Sequence, residues 1–295
     1  TRMAGHRCRR HADAFQRRRP GRRQVDVADD EAAEQPGQQR VRRAEQRQSA
    51  VMASLAIAQD EKAWSLDVGV DYASHYLFRG VPLLGDNEVL VPNATFSVGN
   101  FSVYYYGYRG DLPADFTSSG SEVAYNEDDF GAEYTFALSE SFGLTIGAVS
   151  YLYSDRTTEE YDSEDTYELY AIASWDVLLA PTISYYQDMD AIEGGFATFG
   201  VSHSYPMGEK ASLDFSAAVS FDFGYNLGEG VAADYGLEES NGDLNDVLIG
   251  LDVPVQITDW FGFHVMVQQS IALDVLDDLE VDDETVLTGG VTFSF

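Results

Sequence analysis

Ser212-Leu213-Asp214-Phe215-Ser216-Ala217-Ala218-Val219-Ser220-Phe221-Asp222-Phe223-Gly224 reads with a period of two. Leu213, Phe215, Ala217, Val219, Phe221 and Phe223 share one face; Ser212, Asp214, Ser216, Ala218, Ser220, Asp222 and Gly224 share the other. Successive side chains of an extended strand point to opposite sides, so this stretch has an apolar face and a small or polar one. Residues 247–257 repeat the pattern, with Val247, Ile249, Leu251, Val253, Val255 and Ile257 against Leu248, Gly250, Asp252, Pro254 and Gln256. So do 286–295, where Leu287, Gly289, Val291, Phe293 and Phe295 oppose Val286, Thr288, Gly290, Thr292 and Ser294.

Working outward, the same alternation marks 65–79, 88–98, 101–110, 130–138, 142–153, 166–175, 178–187, 196–205, 211–225, 244–257, 260–272 and 285–295. That is an even number of segments, twelve, most of them near the roughly 9–11 residues a tilted strand needs to cross a bilayer. The joints alternate short and long along the chain. Gly99-Asn100, Ser139-Glu140-Ser141, Asp176-Val177, 206–210 and Thr258-Asp259 are short; 80–87, 111–129, 154–165, 188–195, 226–243 and 273–284 are long and rich in Asp and Glu. An up-and-down barrel with tight turns at one end and loops at the other produces this pattern. A Greek-key sandwich, the soluble alternative suggested by a mean hydropathy of −0.24, breaks it. The expected fold is therefore all-β, an antiparallel transmembrane barrel of about twelve strands over 59–295.

Aromatic residues follow the same division. Trp64, Trp175 and Trp260 fall at the short-turn end, while Tyr104, Tyr105, Tyr106, Tyr108, Tyr151, Tyr153, Tyr185, Tyr186 and Tyr225 gather toward the long loops. Two aromatic belts are expected where a barrel meets the two faces of a bilayer.

Charge separates the chain into two parts. Residues 1–58 hold 13 Arg and 7 acids, whereas 59–295 hold 5 basic residues and 43 acids, within a formal net charge of −32. Residues 1–48 are polar, Arg- and Gln-rich and aperiodic, with too little to bury, and are expected to be disordered and to lie upstream of the true start. Residues 49–58, SAVMASLAIA, form an apolar run ending in small residues after a basic flank, the arrangement of a secretory signal. The acidity excludes nucleic acid as a partner, since phosphates are held by Lys and Arg. The single cysteine, Cys8, excludes a disulfide framework.

The first segment and its exit read Val68-Gly69-Val70-Asp71-Tyr72-Ala73-Ser74-His75-Tyr76-Leu77-Phe78-Arg79-Gly80-Val81. This resembles the opening of the TorF-family putative porins, in which a Ser-x-Tyr-x-Phe-Arg-Gly stretch ends the first strand. The resemblance implies a Gram-negative outer-membrane channel and no particular ligand. The terminal aromatic Phe295 resembles the signal read by the barrel-insertion machinery, an expected partner along with outer-membrane lipid and lipopolysaccharide.

Alternation carried through 79 places Asp67, Asp71, His75 and Arg79 in the lumen. Glu133, Asp214, Asp222 and Asp252 join them as pore-lining candidates, with an inward acid of a neighbouring strand, such as Glu133, as the expected partner of Arg79, and Arg109 and His264 as further basic candidates. Carboxylate-lined pores favour cations, so the expected function is passive diffusion of small solutes with a preference for cations. The alternative is a plugged structural or adhesion barrel whose acidic loops bind divalent cations. Asp277, Asp278, Asp282, Asp283 and Glu284 crowd one loop with the oxygens calcium takes, but without the Asp-x-Asp-x-Asp-Gly spacing of a specific cage. No cofactor is expected. No enzyme activity is expected either, because Ser202 and Ser204 flank His203 on the opposite strand face.

Overall fold

The computed structural model describes residues 64–154, 157 and 164–295. The Arg-rich segment 1–48, the signal-like run 49–58 and residues 155–156 and 158–163 of the expected joint 154–165 lie outside the described residues. Twelve strands form one closed antiparallel barrel in chain order: β1 (Trp64–Ala73), β4 (Val89–Val98), β5 (Phe101–Leu112), β6 (Val123–Ser139), β7 (Phe142–Tyr153), β8 (Thr166–Trp175), β9 (Thr182–Asp188), β10 (Gly195–Pro206), β11 (Ser212–Phe223), β12 (Asp243–Thr258), β13 (Phe261–Ala272) and β14 (Glu284–Ser294). The last strand pairs with the first, Val68 opposite Phe293 and Asp71 opposite Gly290, so no sheet edge is left open. Two further strands, β2 (Leu77–Phe78) and β3 (Val81–Pro82), make a small hairpin in the first long loop. Among the described residues no helix is long and apolar enough to cross a membrane.

The alternation has the expected polarity. Along β11 and β12 the apolar positions Leu213, Phe215, Phe223, Ile249 and Leu251 face out and are exposed, while Asp214, Ser220, Asp222 and Asp252 face in and are buried. Such a band of bare aliphatic and aromatic side chains around the wall would be a liability in water and matches a hydrocarbon surround. At the turn end Trp260 stacks on Phe293, Trp64 lies against Phe96 and Trp175 against Phe142, all near the outside.

Three boundaries differ from the sequence pattern. Strand β9 starts at Thr182 because Pro181 has no N–H to give a ladder and Leu179 and Ala180 take positive φ values of 64° and 32°. The joint 176–181 is therefore as long as 189–194, and the alternation of short and long joints fails there. Strand β6 starts at Val123, well inside the expected loop 111–129; of its outward positions there, Ala124, Asn126 and Asp128, two are polar and the third is small, so the two-residue period is lost although the strand continues. Strand β1 stops at Ala73 instead of running to Arg79, and the chain turns inward.

The second aromatic belt is also corrected. Tyr104, Tyr106, Tyr108, Tyr151, Tyr153 and Tyr186 occupy inward positions, and most of them belong to interior apolar clusters. Outward aromatics toward the loops include Tyr72, Phe130, Tyr167, Tyr185 and Phe223. These rings do lie near the loops, but strand parity decides which side of the wall each occupies.

Helices α1 (Glu229–Tyr235) and α2 (Asp274–Asp278) lie in two long loops. Leu227, Val231 and Ala232 pack there against Val275, Leu276, Leu279 and Val281, with Val81 of the first loop beside them. The loop end of the barrel is thus closed by its own apolar cluster.

Candidate functional site

The lumen is built in two storeys. In the upper one, nearer the loops, residues 74–84 cross from wall to wall. Tyr76 stacks on Tyr108 of β5 with ring centroids 4.2 Å apart and donates its hydroxyl to Glu127 of β6. Phe78 meets the ring of Tyr151 on β7. Arg79 reaches Glu168 of β8 through two contacts of 2.8 Å, and Tyr151 donates to the same carboxylate at 2.9 Å. The guanidinium also lies over the rings of Phe78, Tyr186, Phe196 and Tyr225, the last at 3.8 Å. Its backbone carbonyl accepts from Asn226 and from Asn245 of β12.

A planar, permanently charged fork suits this position, since it satisfies a carboxylate at two points while its faces stack on rings. Arg79 holds φ at 52°, an uncommon value for a residue with a side chain, and the contacts on every side over-determine it. Gly80 follows at φ 82°, and a Cβ there would collide with Leu276. Tyr76, Leu77 and Leu84 are essentially fully buried. On the turn side of the crossing a cavity of about 130 Å³ opens, bordered by Thr95, Tyr104, Glu133, Thr198 and Ser220.

The lower storey is lined by small hydroxyl residues. Ser97 bonds Ser102, Thr135 bonds Thr145 and Ser184 bonds Thr198 across neighbouring strands. Through it runs one polar chain: Asn93 donates to Asp71 at 2.9 Å, Asp71 meets His264 Nε2 at 3.1 Å, and His264 Nδ1 meets Asp252 at 3.0 Å. His264 reaches Asp71 over β14 because Gly290 stands between them; a Cβ there would lie 2.6 Å from His264 Nε2 and collide with Asp71. Both imidazole nitrogens are engaged by carboxylates, so this histidine has no nitrogen free to activate a serine.

The candidates read from the sequence fall as follows. Asp67 faces inward and accepts from Ser294. Asp71, Asp214 and Asp252 are buried on the lower inner wall. Glu133 accepts from Tyr170 at 2.8 Å. His75 is buried beside Glu284 at 3.4 Å and reaches that place through the inward turn of the loop, not through strand alternation. Arg79 is inside the barrel but pairs with Glu168, not Glu133. Asp222 caps the first turn of the next loop, accepting backbone N–H groups from Tyr225, Asn226 and Leu227. Arg109 faces outward: with Tyr104, Tyr106 and Tyr108 turned in, its parity puts it outside, where it pairs with Asp128 and Tyr105. Of the loop carboxylates, Asp283 accepts the Ala272 N–H, and Asp277 and Asp278 lie in α2. Among the described residues no three His, Cys, Asp or Glu side chains converge as a metal site.

Glu168 and Glu127 are absent from the sequence candidates. Both share a face with polar or aromatic neighbours along their strands, a signal that parity carries; their partners, Arg79 and Tyr76, lie 89 and 51 residues away and appear only once the loop enters the lumen.

No protein-family model matches the chain, and no curated protein matches it. Solved structures similar to it include the KdgM porin (12% identity, TM-score 0.47, covering 78% of this chain and 99% of that one) and the NanC porin (12%, 0.48, 77% and 98%). A third is the COG4313 outer membrane channel from Pseudomonas putida F1 (8%, 0.48, 82% and 100%). The resemblance of 68–81 to the TorF family is joined by no family match and stands on its motif.

Proposed function

We propose that the chain is an outer-membrane channel for small solutes with a preference for cations, its loop-end mouth closed by residues 74–84. The observation that carries this reading is the contrast across the wall: an exposed apolar band outside, and a lumen of hydroxyls and carboxylates inside. Arg79, the one Arg or Lys among the described residues that faces the lumen, is matched by Glu168. Asp67, Asp71, Glu133, Asp214 and Asp252 then leave the passage with a negative field, which favours cations. At about 0.15 M salt charges are screened within roughly 8 Å, so these inward acids outweigh the loop cluster 277–284.

The structure also gives weight to the plugged reading, because the crossing segment spans the lumen from β5 to β12. The two readings part on conductance. Purified protein in planar bilayers should pass current and give a reversal potential on the cation side in a KCl gradient. Asp71→Asn should lower that preference more than neutralising Asp277, Asp278, Asp282 and Asp283 together. A barrel that inserts but never conducts, even under applied voltage, would favour the plugged reading; an anion-selective pore would refute the charge argument.

A further inference from the structure

On the inner wall of β11, β12 and β13, buried oxygen acceptors outnumber the well-aligned donors that meet them. Asp214 and Asp252 are register partners on neighbouring strands, 4% and 3% exposed. Directly opposed side chains have Cβ atoms about 4.5–5.5 Å apart. Neither oxygen of Asp214 has a hydrogen-bond partner of good geometry, and Oδ2 of Asp252 has none; the other Asp252 oxygen takes His264. The hydroxyls of Ser204 and Ser212 stand beside Asp214. One rung toward the loops, Gln268 is 8% exposed and its Oε1 is also without a partner. That rung runs Ser216, Gly250, Gln268, and its centre is vacant of side chain: a Cβ on Gly250 would lie 2.5 Å from Ser216 Oγ and 3.7 Å from Gln268 Cγ.

Two carboxylates buried side by side repel, and each buried acceptor left unmet carries a desolvation cost. One proton shared between the acids would supply a single O–H bond. It would still leave the neutral amide oxygen of Gln268 without a donor. A hard cation suits this set of groups better, because carboxylates, an amide carbonyl, hydroxyls and retained water are the ligands calcium takes.

We propose that Asp214, Asp252 and Gln268, with Ser216 beside them, bind a calcium-like divalent cation on the lower inner wall of the barrel. As a resting place for traffic this deepens the cation-preferring reading and rests on it; the binding itself does not. The cradle depends on Gly250, since any side chain there enters the space between Ser216 and Gln268.

Thermal unfolding of the full chain in detergent tests the site without any current. Starting from protein stripped with EDTA, CaCl₂ is titrated at constant ionic strength held with KCl. Calcium should raise the unfolding midpoint of the wild type. Asp214→Asn and Gln268→Met should each lose most of that rise. Gly250→Ala, which changes no charge, should lose it too, and covers the case in which a lumen variant misfolds. Neutralising Asp277, Asp278, Asp282 and Asp283 together should leave it in place. No calcium-dependent rise in the wild type, or a rise that survives Asp214→Asn and Gly250→Ala, would overturn the proposal and return these oxygens to protons or water. A barrel that conducts but shows no calcium shift would sink this site alone, and one that binds calcium but never conducts would sink only the channel.

Discussion

The two storeys of the lumen are made by the same strands with the same alternation, yet one is filled and the other is lined. Near the loops the inward positions are large: Tyr108, Tyr125, Tyr151 and Tyr186, with Tyr76, Phe78 and Leu84 of the first loop wedged among them. Near the turns they are Ser97, Ser102, Thr135, Thr145, Ser184 and Thr198, which bond one another across the wall. A twelve-stranded wall is wider than the eight-stranded kind that side chains alone can fill. Small residues therefore leave room, and closure of the upper storey needs a segment of chain as well as rings. Side-chain volume on the inward face, more than strand number, sets whether this lumen is a core or a passage.

The largest expected effect comes from removing the crossing. Replacing Tyr76–Leu84 with a Gly-Ser linker of equal length should raise single-channel conductance severalfold in planar bilayers, since only the hydroxyl-lined storey would then constrict the path. Unchanged conductance would mean that the narrowest point lies elsewhere and that the two storeys do not differ in openness.

Next is the pair that pins the crossing. Arg79→Ala leaves Glu168 buried without its partner, and breaking a buried pair in this way costs about 3–5 kcal/mol. The loss should appear as earlier protease cleavage within 74–88 and as flickering current, with less change in the urea unfolding midpoint of the barrel. Glu168→Gln should act in the same direction, and the double variant Arg79→Ala/Glu168→Gln should be milder than the sum. Additive losses in that cycle would show that the two side chains do not act as a unit.

The smallest contrast is also the sharpest, because it uses two residues of one strand face. Ser220 lies at the base of the upper storey, buried and bonded to Asp246, whereas Ser216, four residues nearer the turns on the same face, is only half-buried. Ser220→Arg should reduce the yield of folded barrel, approaching the roughly 2–4 kcal/mol expected for Leu251→Arg on the lipid face. Ser216→Arg should fold and change conductance. Equal damage at both serines, measured by heat-modifiable mobility on gels, would erase the boundary between the storeys at this strand.

Alternation alone determined much of this molecule. It marked all twelve wall strands and the apolar band, because a strand with hydrocarbon on one side and small or polar groups on the other must change character at every residue. It set Asp67, Asp71, Asp214 and Asp252 on the inner face for the same reason. It failed where that contrast fades. At 123–129 the outward positions are Ala124, Asn126 and Asp128, with no bulky apolar side chain, so the start of β6 lost its signature. At Arg109 the side follows from the parity of Tyr104, Tyr106 and Tyr108, whose rings turn inward, and not from any apolar contrast of its own. Beyond Ala73 no strand rule applies, and only the tertiary structure decided that the chain enters the lumen, that Arg79 meets Glu168 and not Glu133, and that Asp222 binds loop backbone. Those partners lie far apart along the chain and on different walls, and local pattern carries no information about what a loop will find when the closed wall leaves space inside it.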